Sequence, residues 1–124
     1  MKTQRTQSAI ARGYGSARTG TGHFIMQRMT ALILPPLMLL SLYFLMQAGA
    51  MPYAQAQDYI GHNARAAVLA ATVLVMLYHM SLGLQVVIED YVSTHMTRVL
   101  MIIAVRASAL LMGAVALTSL FSLI

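Results

Sequence analysis

The sequence predicts an all-α membrane protein with three transmembrane helices, and three observations carry that expectation. First, 59% of the 124 residues are hydrophobic and 9% charged, with a mean hydropathy of +0.72. A soluble domain carries about 25% charged residues, so a solitary water-soluble globule is excluded, and the apolar content is far too high for disorder. Second, the apolar residues gather in three long runs, with spans expected at 29–48, 66–88 and 99–122. Each approaches or exceeds the ~20 residues that cross a bilayer core as helix. Third, the basic residues are local. Lys2, Arg5, Arg12, Arg18 and Arg28 all precede the first run with no acid among them. In front of an apolar run, such a cluster suits an anionic membrane leaflet better than nucleic acid. The chain has no Cys, which excludes disulfides, thiolate-held iron–sulfur clusters and Cys-ligated zinc. It also has no Trp, so Tyr must serve at the membrane interface.

The elements follow in order. Residues 1–27 are polar, basic and rich in Gly, Ser and Thr, and read as an N-terminal arm ahead of a membrane domain at 28–124. A signal peptide fits poorly despite Ala48-Gly49-Ala50, because the apolar run exceeds the ~7–15 residues of a signal core. A mitochondrial transit peptide is a second rival, since the arm is rich in Arg and Ser and lacks acids. The first span contains Pro35 and Pro36, tolerated in a membrane where neighbours satisfy the freed carbonyls. Residues 49–63 form a polar connector in which Gln57-Asp58-Tyr59-Ile60 suits a short interfacial helix. The second span is closed by Arg65 at one end and Glu89-Asp90 at the other. A short polar turn follows, with Ser93 or Thr94 available to cap the third helix. That last run is interrupted only by Arg106, and its Ala104/Ser108 and Ala109/Gly113 spacings permit close helix contact. The positive-inside rule puts the N-terminus and the loop before Arg98 in the cytoplasm, and the loop near Arg65 and the C-terminus outside.

Few residues could carry chemistry. His79 lies eleven residues before Asp90, or ~16 Å along a helix, near the middle of the hydrocarbon. An ionisable group there is a functional candidate by default, although a neutral His bonded to a neighbouring helix is the plain alternative. Gly83, one turn away on the same face, would leave the groove that a flat macrocycle needs beside a ligating His. Thr72 lies on the same stripe and could orient a neighbour. His23, His62 and His95 fall at or outside the span ends, so a six-coordinate haem on His79 would need its second ligand from another chain. Glu89-Asp90-Tyr91 opposes the helix dipole, and so asks for a basic partner or a function. A Tyr hydroxyl there could donate to a quinone carbonyl, with the adjacent carboxylate polarising it. Arg28 should sit at the depth of Tyr91, as a topology anchor or a carboxylate binder. Arg106 should snorkel to the cytoplasmic face or pair with Asp90 or a cofactor carboxylate.

Two segments together resemble the second of the two small membrane anchors of bacterial succinate dehydrogenases. One runs Gly15-Ser16-Ala17-Arg18-Thr19-Gly20-Thr21-Gly22-His23-Phe24-Ile25-Met26-Gln27-Arg28-Met29-Thr30-Ala31; Ile25 stands where that family would lead one to expect an aromatic. The other, His79-Met80-Ser81-Leu82-Gly83-Leu84-Gln85-Val86-Val87-Ile88-Glu89-Asp90-Tyr91-Val92, is similar to the family's His-x3-Gly…Asp-Tyr segment. The resemblance implies an anchor in the bacterial inner membrane, with a cytoplasmic N-terminus and a periplasmic C-terminus. Its expected partners are a flavoprotein subunit, an iron–sulfur subunit and a second cytochrome b anchor, which together oxidise succinate and reduce ubiquinone. The family's residues carry over as His79 for a haem b iron ligand, Tyr91 and Asp90 for the quinone, and Arg28, His23 and Gly83 for the cofactor pocket. This chain would not be catalytic alone. Two alternatives are a haem-free fumarate reductase anchor, disfavoured by His79, and a small proton-conducting or transport protein. The latter would need more polar span residues than Ser41, Thr72 and Ser81.

Overall fold

Residues 20–123 are described by the computed structural model. They form four helices: α1 (Gly20–Gly49), α2 (Tyr53–Gly61), α3 (Asn63–Tyr91) and α4 (His95–Phe121). Three of them, α1, α3 and α4, are long and apolar enough to cross a membrane, as a multi-pass membrane protein requires. The basic arm residues Lys2, Arg5, Arg12 and Arg18 lie outside the described residues.

α1 is helical from Gly20, the first described residue and inside the segment expected to be an arm, and continues unbroken through Pro35 and Pro36. Its 30 residues exceed the ~20 that cross a hydrocarbon core, so one end projects beyond it. The extension is held by packing. The buried and half-buried residues of α1 are His23, Gln27, Thr30, Leu34, Leu37, Ser41, Phe44 and Ala48, a strict alternation of four and three. Such a repeat keeps one narrow seam against a partner helix. That partner is α3, which lies centrally and packs against both α1 and α4.

α2 fills the connector and is longer than the four residues expected of it. Arg65, just inside α3, stacks its guanidinium 3.8 Å from the Tyr59 ring centroid and donates to the Tyr59 carbonyl. This clamps the end of α2 to the start of α3.

Thr94 occupies the N-cap position of α4, but its side chain makes no capping hydrogen bond, and Ser93 precedes the cap. The α3–α4 turn is held instead by Arg98, whose Nε and Nη2 donate to the Val92 carbonyl at 2.9 and 2.8 Å. α4 meets α3 through Gly113, its one buried residue. A Cβ at Gly113 would meet Leu74 Cδ2 at 3.5 Å and Leu77 Cδ1 at 3.6 Å. The Ala109/Gly113 spacing therefore serves this contact, with Ala109 half-buried beside it. The Ala104/Ser108 pair does not, since both residues are exposed.

The contact at Gly113 leaves room for a methyl group and nothing larger. Gly113→Ala should keep wild-type stability in a detergent thermal melt. Gly113→Leu should destabilise by about 1–3 kcal/mol, the usual cost of overpacking.

Candidate site at the α1–α3 seam

α1 and α3 run antiparallel, and polar contacts fix their register. His79 Nδ1 lies 2.8 Å from Thr30 Oγ1. Further along, Ser41 Oγ and Thr72 Oγ1 are 2.7 Å apart and buried. Thr72 also back-bonds to the Val68 carbonyl at 2.8 Å. Thr72 does orient a neighbour, and the neighbour is Ser41. These two hydroxyls satisfy each other across the helix pair, as hydroxyls away from water must.

Around His79 the register assembles a small polar group. Gly83 is half-buried, and the nearest atom to a Cβ built there is Gln27 Nε2 at 3.9 Å. Nothing within the described chain therefore demands a glycine. His23, one turn from Gln27 toward Gly20, has its Nε2 enclosed without a hydrogen-bond partner among the described residues. Leaving such an atom unmatched costs ~1–3 kcal/mol, which points to a group that arrives from elsewhere.

Arg28 was expected at the depth of Tyr91, and the register corrects that. It follows Gln27, which faces Gly83, whereas Tyr91 is eight residues further along α3, ~12 Å on the helix axis. The expectation rested on a first span starting at residue 29; the helix already runs from Gly20, the first described residue, and carries the Arg28 backbone deeper. Its side chain is exposed, with the guanidinium 5.1 Å from the Phe24 ring centroid. The Arg28 backbone thus lies nearer the level of Gly83 than of Tyr91, with its guanidinium turned back one turn toward Phe24, while Asp90 and Tyr91 are exposed at the end of α3. Tyr91 is 84% exposed.

A second polar chain occupies the opposite flank of α3. Arg106 Nη2 donates to Gln85 Oε1 at 2.7 Å, and Gln85 Nε2 donates to Glu89 Oε1 at 2.7 Å. Of the readings of Arg106, snorkelling toward the cytoplasmic face or pairing with Asp90 or a cofactor carboxylate, the Asp90 pair does not form; the guanidinium is instead coupled to the Glu89 carboxylate through one amide. This polar chain closes one end of an apolar groove of about 720 Å³ between α3 and α4.

Chemically, the seam holds two imidazoles, of which His79 has one nitrogen engaged across the helix pair. Among the described residues no three His, Cys, Asp or Glu gather as a metal cage. A metal carried by its own macrocycle needs only an axial donor, and one His supplies that.

A family model described as succinate dehydrogenase/fumarate reductase transmembrane subunit matches residues 1–121. The succinate dehydrogenase hydrophobic membrane anchor subunit of Rickettsia bellii (strain RML369-C) is 36% identical over 107 residues, covering 86% of each chain. That of Rickettsia conorii (strain ATCC VR-613 / Malish 7) is 33% identical over 102 residues, covering 77% of each. No solved structure matches.

Sequence reasoning passed over Thr30, Gln27 and Gln85. Thr30 and Gln27 belong to the four–three alternation of burial that joins them to His23, Leu34 and Ser41, a pattern that apolar periodicity does not reveal. Gln85 could have been found only by pairing α3 with α4, since it lies 21 positions from Arg106. Gln85→Leu should leave the guanidinium unmatched and destabilise the chain by about 1.5–3 kcal/mol, as for a hydrogen bond to a charged group. Gln85→Glu keeps the acceptor for Arg106 but loses the donor to Glu89, and should cost less than Gln85→Leu without matching the wild type. Denaturation in mixed detergent micelles separates the two.

Proposed function

Because the chain belongs to the succinate dehydrogenase/fumarate reductase transmembrane subunit family, we propose that it anchors a succinate dehydrogenase, holds one face of a haem b and lines part of the ubiquinone site. The anchor role follows from the family and from three helices fit to span a bilayer. The haem and quinone roles are argued from individual residues.

The observation that carries the haem assignment is His79. Its Nδ1 is tied to Thr30 across the seam, while its Nε2 has no hydrogen-bond partner among the described residues and the residue as a whole is half-buried. An anchored ring with an available nitrogen is what an axial iron ligand requires. Gly83, one turn away, keeps the adjacent helix face free of a side chain, for no reason internal to the chain. Arg28, engaged only with the Phe24 ring among the described residues, has guanidinium donors to spare for a propionate carboxylate. His23 presents a polar atom that lacks a partner on the same seam. When bound, haem supplies a one-electron iron couple within the membrane. Its second axial ligand would come from the other anchor subunit, since His23, His62 and His95 lie at other levels.

Quinone reduction needs donors at the carbonyl oxygens, where negative charge develops. Tyr91 and Asp90 lie at the end of α3, exposed and free of ion pairs among the described residues. The Tyr91 hydroxyl donates to one carbonyl, and the Asp90 carboxylate polarises that hydroxyl or relays a proton to it. A flavoprotein and an iron–sulfur subunit would deliver electrons at this end of the bundle. The same end carries Arg28 and Arg98, while Arg65 marks the other. With the arm residues, this bias supports a cytoplasmic N-terminus and a periplasmic C-terminus in a bacterial inner membrane. The remaining partner, a second cytochrome b anchor, would cover apolar faces that this chain leaves exposed, such as Leu32, Leu39, Leu110 and Leu111.

Two substitutions test this reading in the assembled complex. His79→Ala should abolish the low-spin haem b spectrum or convert it to high spin; an unchanged spectrum refutes the ligand assignment. Tyr91→Phe should retain haem and the transfer of electrons from succinate to an artificial acceptor at the flavin. Its succinate–quinone turnover should fall at least tenfold, a change of ~1.4 kcal/mol.

A further inference from the structure

The Thr30 hydroxyl is crowded in an informative way. Its Oγ1 lies 2.9 Å from the Met26 carbonyl oxygen, 3.1 Å from the Gln27 carbonyl oxygen and 2.8 Å from His79 Nδ1. A hydroxyl has one proton to give. Were that proton given to Nδ1, the oxygen would turn its lone pairs toward two carbonyl oxygens at close range, with no hydrogen between them. Were it given to the Met26 or Gln27 carbonyl, that repulsion would become an attraction, and a lone pair would remain for an N–H from the ring. Helical threonines commonly back-bond in this way. Thr30 is also buried, at 8% exposure, so water cannot relieve the unfavourable arrangement.

We infer that Thr30 is a positioning residue that fixes His79 in its Nδ1–H tautomer: the ring donates to Thr30 Oγ1, which donates in turn to the α1 backbone, and the Nε2 lone pair is left as the only nitrogen able to bind iron. The inference rests on the haem role of His79 proposed above. It adds two consequences. Thr30 determines which ring nitrogen can act, because a hydrogen bond at one nitrogen settles the state of the other. It also makes the ring a stronger donor, since an Nδ1–H that is hydrogen-bonded to an acceptor raises ligand basicity. A more basic ligand stabilises ferric over ferrous iron, so the threonine holds the haem potential down. The link joins two helices, 49 positions apart in sequence, so any shift of α1 along α3 would be felt at the iron.

The test uses the whole complex, with Thr30→Val to remove the hydroxyl at nearly constant shape and Thr30→Ser to restore it. The readouts are the haem b midpoint potential and the low-spin ferric resonance spectrum. Thr30→Val should retain the haem and shift the ferric–ferrous equilibrium about tenfold toward ferrous, a rise of about 59 mV for one electron. Thr30→Ser should return both readouts to wild type. An unchanged potential in Thr30→Val overturns the inference, as does an equal shift in Thr30→Ser, which would reveal a packing effect. Should the valine variant not assemble, Thr30→Ala is read on the same scale, and assembly lost in both variants and not restored by serine also overturns it. Failure of the underlying haem assignment looks different: His79→Ala would then keep a wild-type low-spin spectrum.

Discussion

The α1–α3 pairing rests on one constraint, that a polar group within hydrocarbon must find its partner inside the protein. Two such pairings lock the seam, Thr30 with His79 and Ser41 with Thr72. Apolar packing alone would not specify the register, because lipid tails offer a leucine nearly the same surroundings as a neighbouring helix does. Sliding α1 by one turn would part the imidazole Nδ1 from Thr30 and the Ser41 hydroxyl from Thr72, while both threonines kept the bonds to their own helices. The register then determines everything else on the seam: Gln27 opposite Gly83, Arg28 beside it, and His23 one turn further toward the N-terminus.

That physics also explains what could be read from the sequence. Three spans were legible because each is a long run with almost no charge, and His79 was legible because a mid-span imidazole is costly. The seam itself was not. In water, a helix reveals its buried face by contrast with a polar one. In α1 the face turned away from α3 carries Leu32, Leu39 and Met46, all exposed, while the seam carries His23, Gln27, Thr30 and Ser41. The contrast is partly reversed, so apolar periodicity gives no guide. The start of α1 was missed for a related reason. Gly20, Thr21 and Gly22 read as part of a polar arm, yet they are helical and continuous with the half-buried His23 and Gln27. Thr94 illustrates the opposite error. It has the residue type and position of a cap, yet Arg98 holds the turn.

The two flanks of α3 differ in kind. Toward α1 the contacts are hydrogen bonds along a continuous seam. Toward α4 the closest approach is at Gly113, and the polar chain of Arg106, Gln85 and Glu89 sits at one end of an open apolar groove. α4 buries only that glycine. A chain that leaves Leu110 and Leu111 at 76% and 68% exposure is stable only with lipid or protein against it, which agrees with its membership in a family of transmembrane subunits.

Along the seam, the distribution of polarity separates site from scaffold. From Leu34 to Ala48, α1 meets α3 through apolar side chains and the single closed pair Ser41–Thr72. From Thr30 toward Gly20 the seam turns polar, and its groups are left incomplete: an unpartnered His23 Nε2, a Gly83 that no internal contact needs, and an Arg28 held only by a ring face among the described residues. Thr30 and His79 stand at the boundary, one completing the packing and the other opening the site. Tyr91 lies twelve residues beyond His79 on α3, ~18 Å along the axis. A group held at His79 and a group held at Tyr91 would therefore occupy different places, served by different side chains. In this arrangement the packed half of the seam fixes the depth of His79, and α3, as a rigid helix, carries that depth forward to Asp90 and Tyr91.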